Sequence, residues 1–269
     1  ALHRVFWAVP ILLVIVKLRG FSLPTSPRLW GAYLVMGAMN NAIPFSLIFW
    51  GQTQIDGGLA SIINATSAMF TAVAAGVLLA DEPLTPRKTV GAALGLTGVA
   101  YIMGPEVLSN FNPGNLGQLA VLCGALSYAF AGVWGRIALS GQPPLVNAMG
   151  MVIGSTILMV PLTLFVEGPP ELGVSAIGWC ALLGLASLST ALAYVLYFAI
   201  LARAGAANLL LVTLLIPPFA IALGAGFLGE QITTAALIGF AIISVGFVVN
   251  DGRLAQFLLA KMKADGVRS

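Results

Sequence analysis

Two adjacent asparagines, Asn40 and Asn41, stand inside an apolar stretch of this chain, with Pro44 four residues after the first. Proline has no amide hydrogen, so Pro44 leaves the carbonyl of Asn40 without its helical donor. A free backbone acceptor and side-chain amides therefore fall together where few other groups can hydrogen-bond. Such groups recognise and bind. The competing account is a kinked helix whose asparagines bond neighbouring helices.

A second stretch carries Ser187, Thr190, Tyr194 and Tyr197 at steps of three, four and three, which predicts a polar and aromatic face on one helix. Facing lipid it would be costly, so it either packs between helices or lines a cavity. Ser127 and Trp134, seven residues apart, share a face with Tyr128 beside them; such rings suit apolar amino acids and core packing equally. Asn64, with Thr66 and Ser67, is a weaker candidate of the same kind. Pro217 and Pro218 free the carbonyls of Thr213 and Leu214, so this region is a hinge, a binding element or a kink. With Pro44 they are the candidate hinge residues.

Catalytic chemistry has few parts to use. His3 is the single histidine, and Cys123 and Cys180 lie in apolar segments where packing is the expected role. No metal or cofactor site is expected, and no enzyme.

These residues must be held by membrane-spanning helices. Apolar residues make up 59% of the 269 and charged ones 8%, with a mean hydropathy of +1.01. Roughly 20 apolar residues cross a bilayer core as a helix. The pattern predicts nine spans, at 3–18, 28–50, 57–80, 86–104, 115–139, 144–166, 175–201, 205–229 and 234–250. The first resembles a signal peptide, but Lys17 and Arg19 follow it where a cleavage pattern would stand.

The pI near 9.1 does not point to nucleic acid, because of where the bases lie. Lys17, Arg19, Arg28, Arg87, Lys88, Arg136, Arg203 and the tail bases fall on one side if the spans alternate, and Arg4 falls on the other. This puts the C-terminus in the cytoplasm of a multi-pass plasma-membrane protein, a bacterial inner membrane. Arg4, with His3 and Trp7, reads as an interfacial anchor, or as an attractor for a carboxylate. From Arg253 to Lys263 the tail has the pattern of a surface-lying amphipathic helix.

The chain is also written twice. Glu82 and Glu230 close segments that repeat at a spacing of 148, matching Gly57, Gly91 and Gly98 to Gly205, Gly239 and Gly246. Upstream the spacing becomes 149, so Trp30 and Phe49 meet Trp179 and Phe198, and then 151, so Val9 and Pro10 meet Val160 and Pro161. Spans one to four thus match six to nine. Span five has no partner, so a leading helix is expected before Ala1. Five helices per copy would place the copies in opposite orientations. The expected division is 1–112, a first repeat lacking its first helix; 113–250, the inverted second repeat; and 251–269, a basic cytoplasmic tail. Gly91, Gly95 and Gly98 in span four and Gly150 and Gly154 in span six read as close-packing scaffold. Glu82 and Glu230 read as helix-end markers.

The segments from Leu78 to Thr85 and from Phe227 to Thr233, with Trp179 to Leu183 followed by Leu192-Ala193-Tyr194, resemble the signature of the EamA family of the drug/metabolite transporter superfamily. The resemblance spans nearly the whole chain. It implies a ten-helix, all-α integral membrane transporter of two five-helix inverted repeats, and export of amino acids or related metabolites, as in YddG-like members.

The expected activity is therefore alternating-access export of small amphipathic metabolites, amino acids foremost, by a monomer in a lipid bilayer. No Asp, Glu, Lys or Arg falls deep in a predicted span, which favours facilitated uniport. A proton-coupled antiporter, a channel and a sensor are the rival readings.

Overall fold

A computed structural model describes residues 2–112, 114–169, 173–229 and 231–251. Among these, all regular structure is helical. The helices are α1 (Leu2–Leu18), α2 (Pro27–Gly37), α3 (Ile43–Gln52), α4 (Gly57–Ala65), α5 (Ser67–Leu78) and α6 (Pro86–Met103). They continue with α7 (Leu116–Ala138), α8 (Pro144–Val166), α9 (Ala176–Ala186), α10 (Ala193–Leu210), α11 (Val212–Leu228) and α12 (Thr234–Asp251). Five-residue and six-residue π-helical turns, Ala38–Ala42 and Ser187–Leu192, join α2 to α3 and α9 to α10. Among the described residues, nine α-helical stretches stand where nine spans are predicted. Six are long and apolar enough to cross a bilayer by length and composition alone.

The two π turns fall at equivalent places in the repeat. Adding 149 to 38 gives 187, so span two and its repeat equivalent, span seven, are widened at the same position. In the first turn the Ile43 amide reaches five residues back to the Ala38 carbonyl, and in the second Ala193 reaches Leu188. Pro44, immediately after the first turn, has no amide to offer Asn40, which removes the competing four-residue bond there.

Spans three and eight are also interrupted, each beside a threonine. Thr66 donates its hydroxyl to the Ile63 carbonyl at 2.6 Å, and Thr213 donates to Leu210 at 2.8 Å. Each hydroxyl takes up a carbonyl that the helix would otherwise use. Pro217 and Pro218 are not where span eight breaks, because α11 runs through both. The break lies earlier, at Leu211, where the Leu214 amide turns back to the Leu211 carbonyl at 3.0 Å. Gly205, with φ of 84°, makes the turn between spans seven and eight.

The fold divides into two compact units, 2–49 with 130–209 and 50–129 with 210–251. Each draws segments from both predicted repeats. In the first unit α8 packs against α1 and α2, over a core that includes Val5, Leu12, Tyr33, Met36 and Met149. In the second unit α6 lies against α12, over Ile62, Val99, Leu214 and Ile243.

The α6–α12 contact is a two-fold in miniature. A methyl group on Gly98 would lie 2.7 Å from the Gly239 carbonyl oxygen, and one on Gly91 would lie 2.7 Å from that of Gly246. Gly239 and Gly246 are the repeat equivalents of Gly91 and Gly98, so each glycine meets the equivalent of the other. Such exchange requires antiparallel helices related by a two-fold axis, as inverted copies are.

Cys123 and Cys180 are free and exposed, so the expected interior packing does not hold. A thiol is apolar enough for a lipid-facing surface, and its residue type alone does not choose the face. Glu82 is 7% exposed, in the turn after α5, and its amide donates to the Leu79 carbonyl at 3.2 Å. Glu230 and the stretch from Arg253 to Lys263 lie outside the described residues.

Candidate functional site

The first unit holds a polar seam built around its two π turns. Widening a helix turn opens its carbonyls and turns side chains out of the normal register. The Tyr194 hydroxyl donates to the Asn41 side-chain oxygen. The Asn41 amide nitrogen donates to the Ser155 hydroxyl at 2.6 Å, and Ser155 donates to the Met151 carbonyl at 2.8 Å. Each hydroxyl in this relay donates to an acceptor. Asn41 and Ser155 have no exposed surface, as burial of polar groups demands when they are bonded.

Beside it stands a charged counterpart. Arg4, on α1, donates from Nε to the Thr190 hydroxyl at 3.2 Å and from Nη2 to the Ser189 carbonyl at 2.9 Å. Its guanidinium lies 5.2 Å from the centre of the Phe45 ring. Thr190, fully buried, donates its own hydroxyl to the Leu185 carbonyl at 3.0 Å. Arg4 is thus more than an interfacial anchor. Its contact on Thr190 is fourteen residues into the helical stretch that starts at Ala176, a rise of about 21 Å at helical pitch.

The repeat spacings relate the two groups residue by residue. At 149, Asn41 is the equivalent of Thr190 and Phe45 of Tyr194; at 151, Arg4 is the equivalent of Ser155. Ser155, Asn41 and Tyr194 in one group therefore correspond to Arg4, Thr190 and Phe45 in the other. The contacts correspond as well: Ser155 with Asn41, and Arg4 with Thr190. The sequence differs at all three places: a cation for a hydroxyl, a threonine for an asparagine, and a phenyl ring for a phenol.

The second unit has a smaller seam at its two helix breaks. Ser67 donates to the Thr213 hydroxyl at 3.2 Å, and Thr71 donates to the Ser67 carbonyl at 2.6 Å. Asn64, one turn before Ser67, keeps its side-chain oxygen buried with no donor.

The model of the EamA-like transporter family matches residues 1–104 and 115–250. The chain belongs to that family. It is a multi-pass membrane transporter. It is 27% identical over 244 residues to a protein of Bacillus subtilis strain 168 described as the uncharacterized transporter YoaV, covering 90% of this chain and 82% of that one. A probable amino-acid metabolite efflux pump of Salmonella typhimurium is 29% identical over 203 residues, covering 72% of this chain and 67% of the pump. A solved crystal structure shares the fold with a TM-score of 0.78 at 19% identity, over 96% of this chain and 88% of that one.

In this EamA-like transporter the first unit gathers Asn41, Thr190 and Tyr194, with Asn40 buried beside Asn41 and Pro44 in the first turn of α3, after the π turn. The second unit gathers Thr213 with Ser67, and places Asn64, Ser127 and Tyr128 on its own helices. The expected single face of span seven is divided. Ser187 bends back to the Leu183 carbonyl at 2.7 Å and lines an apolar groove with Ile11, Ile15 and Val195. Thr190 and Tyr194 turn into the seam instead, and the Tyr197 ring stands edge-on to those of Tyr194 and Phe198. Trp134 donates from its indole nitrogen to the Ala32 carbonyl at 3.0 Å, apart from the seam.

Ser155, Ser189 and Phe45 are seam residues that residue type did not single out. Ser155 follows Gly150 and Gly154, and that small-residue pattern reads as scaffold. A polar residue in the middle of an apolar span was the available signal for it.

Proposed function

We propose that this EamA-like transporter exports amino acids, including aromatic and other apolar ones, and related small metabolites by alternating access. The seam of the first unit, built from the two repeat copies with a neutral group and a cationic group in equivalent places, carries this reading. An amphipathic solute needs both: hydrogen-bonding groups for its polar end and aromatic surface for its side chain. The two copies exchange conformations, so that a central cavity opens first to one side of the membrane and then to the other. Asn40, Asn41, Thr190 and Tyr194 contribute substrate contacts in the first unit, and the π turns supply the flex.

The name of the Salmonella relative, an amino-acid metabolite efflux pump, supports the same substrate class. Transport is facilitated, because among the described residues no carboxylate joins either seam to relay a proton. The protein acts as a monomer in the plasma membrane of a bacterium, with its C-terminus in the cytoplasm.

The test is a panel of labelled amino acids in liposomes holding the purified protein, with and without a pH difference. Saturable flux of phenylalanine and leucine, unchanged by the pH difference, is expected. Flux that needs the pH difference would establish the antiporter instead, and no flux of any amino acid would sink the reading.

A further inference from the structure

We propose that Arg4 is the residue that recognises the substrate's carboxylate and so restricts transport to acids. The inference rests on the amino-acid reading above and adds to it the group that selects the substrate. It starts from the correspondence between Arg4 and Ser155. In the Ser155 group the same architecture closes with a neutral hydroxyl, bonded to Asn41 and to the Met151 carbonyl. Packing and hydrogen bonding at this position of the fold therefore do not require a charge. The positive charge in the Arg4 group is additional to what its counterpart needs.

Among the described residues, none neutralises that charge. Arg4 bonds one hydroxyl and one carbonyl and lies against a phenyl ring, and no carboxylate pairs with it among the described residues. A guanidinium carries five N–H groups. Those beyond the two bonds to Thr190 and Ser189 have no protein acceptor among the described residues. A partly buried cation without a counter-ion is costly, and an arriving anion recovers that cost. The planar fork suits a carboxylate, which accepts two parallel bonds. The bond to Ser189 is solvent-exposed and uses one of the two Nη2 hydrogens, so the terminal end of the fork keeps donors for a ligand.

The arrangement also separates recognition from scaffold. Arg4 is held from its Nε side by buried Thr190 and from one face by Phe45, so its outer edge is aimed before the substrate arrives. Pre-aiming lowers the ordering cost of binding.

The experiment measures inhibition of labelled phenylalanine flux by unlabelled L-phenylalanine and by L-phenylalaninamide, which differ only at the carboxyl group. The acid is expected to inhibit the wild-type protein at least about tenfold better than the amide. In Arg4→Gln that ratio falls to about one, while the amide inhibits as before. In Arg4→Lys part of the preference is kept. If Arg4→Gln abolishes flux, Arg4→Lys decides: flux regained with preference for the acid supports the proposal, and flux not regained, or regained without the preference, overturns it. Acid and amide inhibiting the wild type equally would overturn the role of Arg4 and leave amino-acid transport standing. A wild-type protein that moves no amino acid would refute the transport reading itself, and this inference with it.

Discussion

The Tyr194 hydroxyl donates to the Asn41 side-chain oxygen, and that bond ties the start of α10, just past the π turn of span seven, to the π turn of span two. The bond has no copy in the equivalent place, where Phe45 has no hydroxyl to offer Thr190. Removing the Tyr194 oxygen therefore makes the two groups more alike. Tyr194→Phe is expected to destabilise the protein by about 0.6–2 kcal/mol, since hydrogen bonds between membrane helices are modest in net worth. Thermal unfolding in detergent, combined with Asn41→Leu in a double-mutant cycle, reads this directly. Strictly additive effects of the two changes would show that the bond contributes nothing.

The glycines of the α6–α12 crossing predict a steeper response. A valine at Gly98 would press its Cβ on the Gly239 carbonyl 2.7 Å away and on the Ile243 side chain. Backbone cannot yield as a side chain can, so Gly98→Val should cost about 1–3 kcal/mol or more and lower the yield of folded protein. Gly184→Ala is the control. Nothing lies within 4 Å of a methyl group there, and alanine favours the helix, so stability should hold or rise by about 0.5–1 kcal/mol. Equal losses at Gly98 and Gly184 would contradict the close crossing.

Topology gives a third expectation. With Cys123 and Cys180 replaced by serine or alanine, a single cysteine at Ser109 should react with a membrane-impermeant maleimide added to whole cells. A cysteine at Ser140, in the turn after α7, should react only once the membrane is opened. The reverse pattern would invert the assignment drawn from Arg87, Lys88, Arg136 and Arg203.

The helices and their pairing were readable because apolar length and repeat spacing are properties of the linear chain. The spacings of 148, 149 and 151 sufficed to match Gly98 to Gly246, Asn41 to Thr190 and Arg4 to Ser155. The seam itself was only half legible. A π turn adds one residue to a helical turn and has no residue signature, so spacing alone groups Ser187 with Thr190 and Tyr194 although it lines a different surface. Arg4 reads as interfacial because one dimension records where its Cα starts and not where a long side chain ends. In span eight the break falls at Leu211, six residues before the first proline. A hydroxyl bonding back to the Leu210 carbonyl leaves no mark as strong as Pro-Pro.

Counterflow tests the central claim most directly. Liposomes preloaded with unlabelled phenylalanine should accumulate external labelled phenylalanine transiently above its equilibrium level, because a site that faces one side at a time exchanges faster than it returns empty. Enlarging the seam residues Asn40 or Tyr194 should reduce that accumulation. An uptake that shows no stimulation by internal phenylalanine, together with a steady single-channel conductance, would contradict alternating access and make the protein a channel.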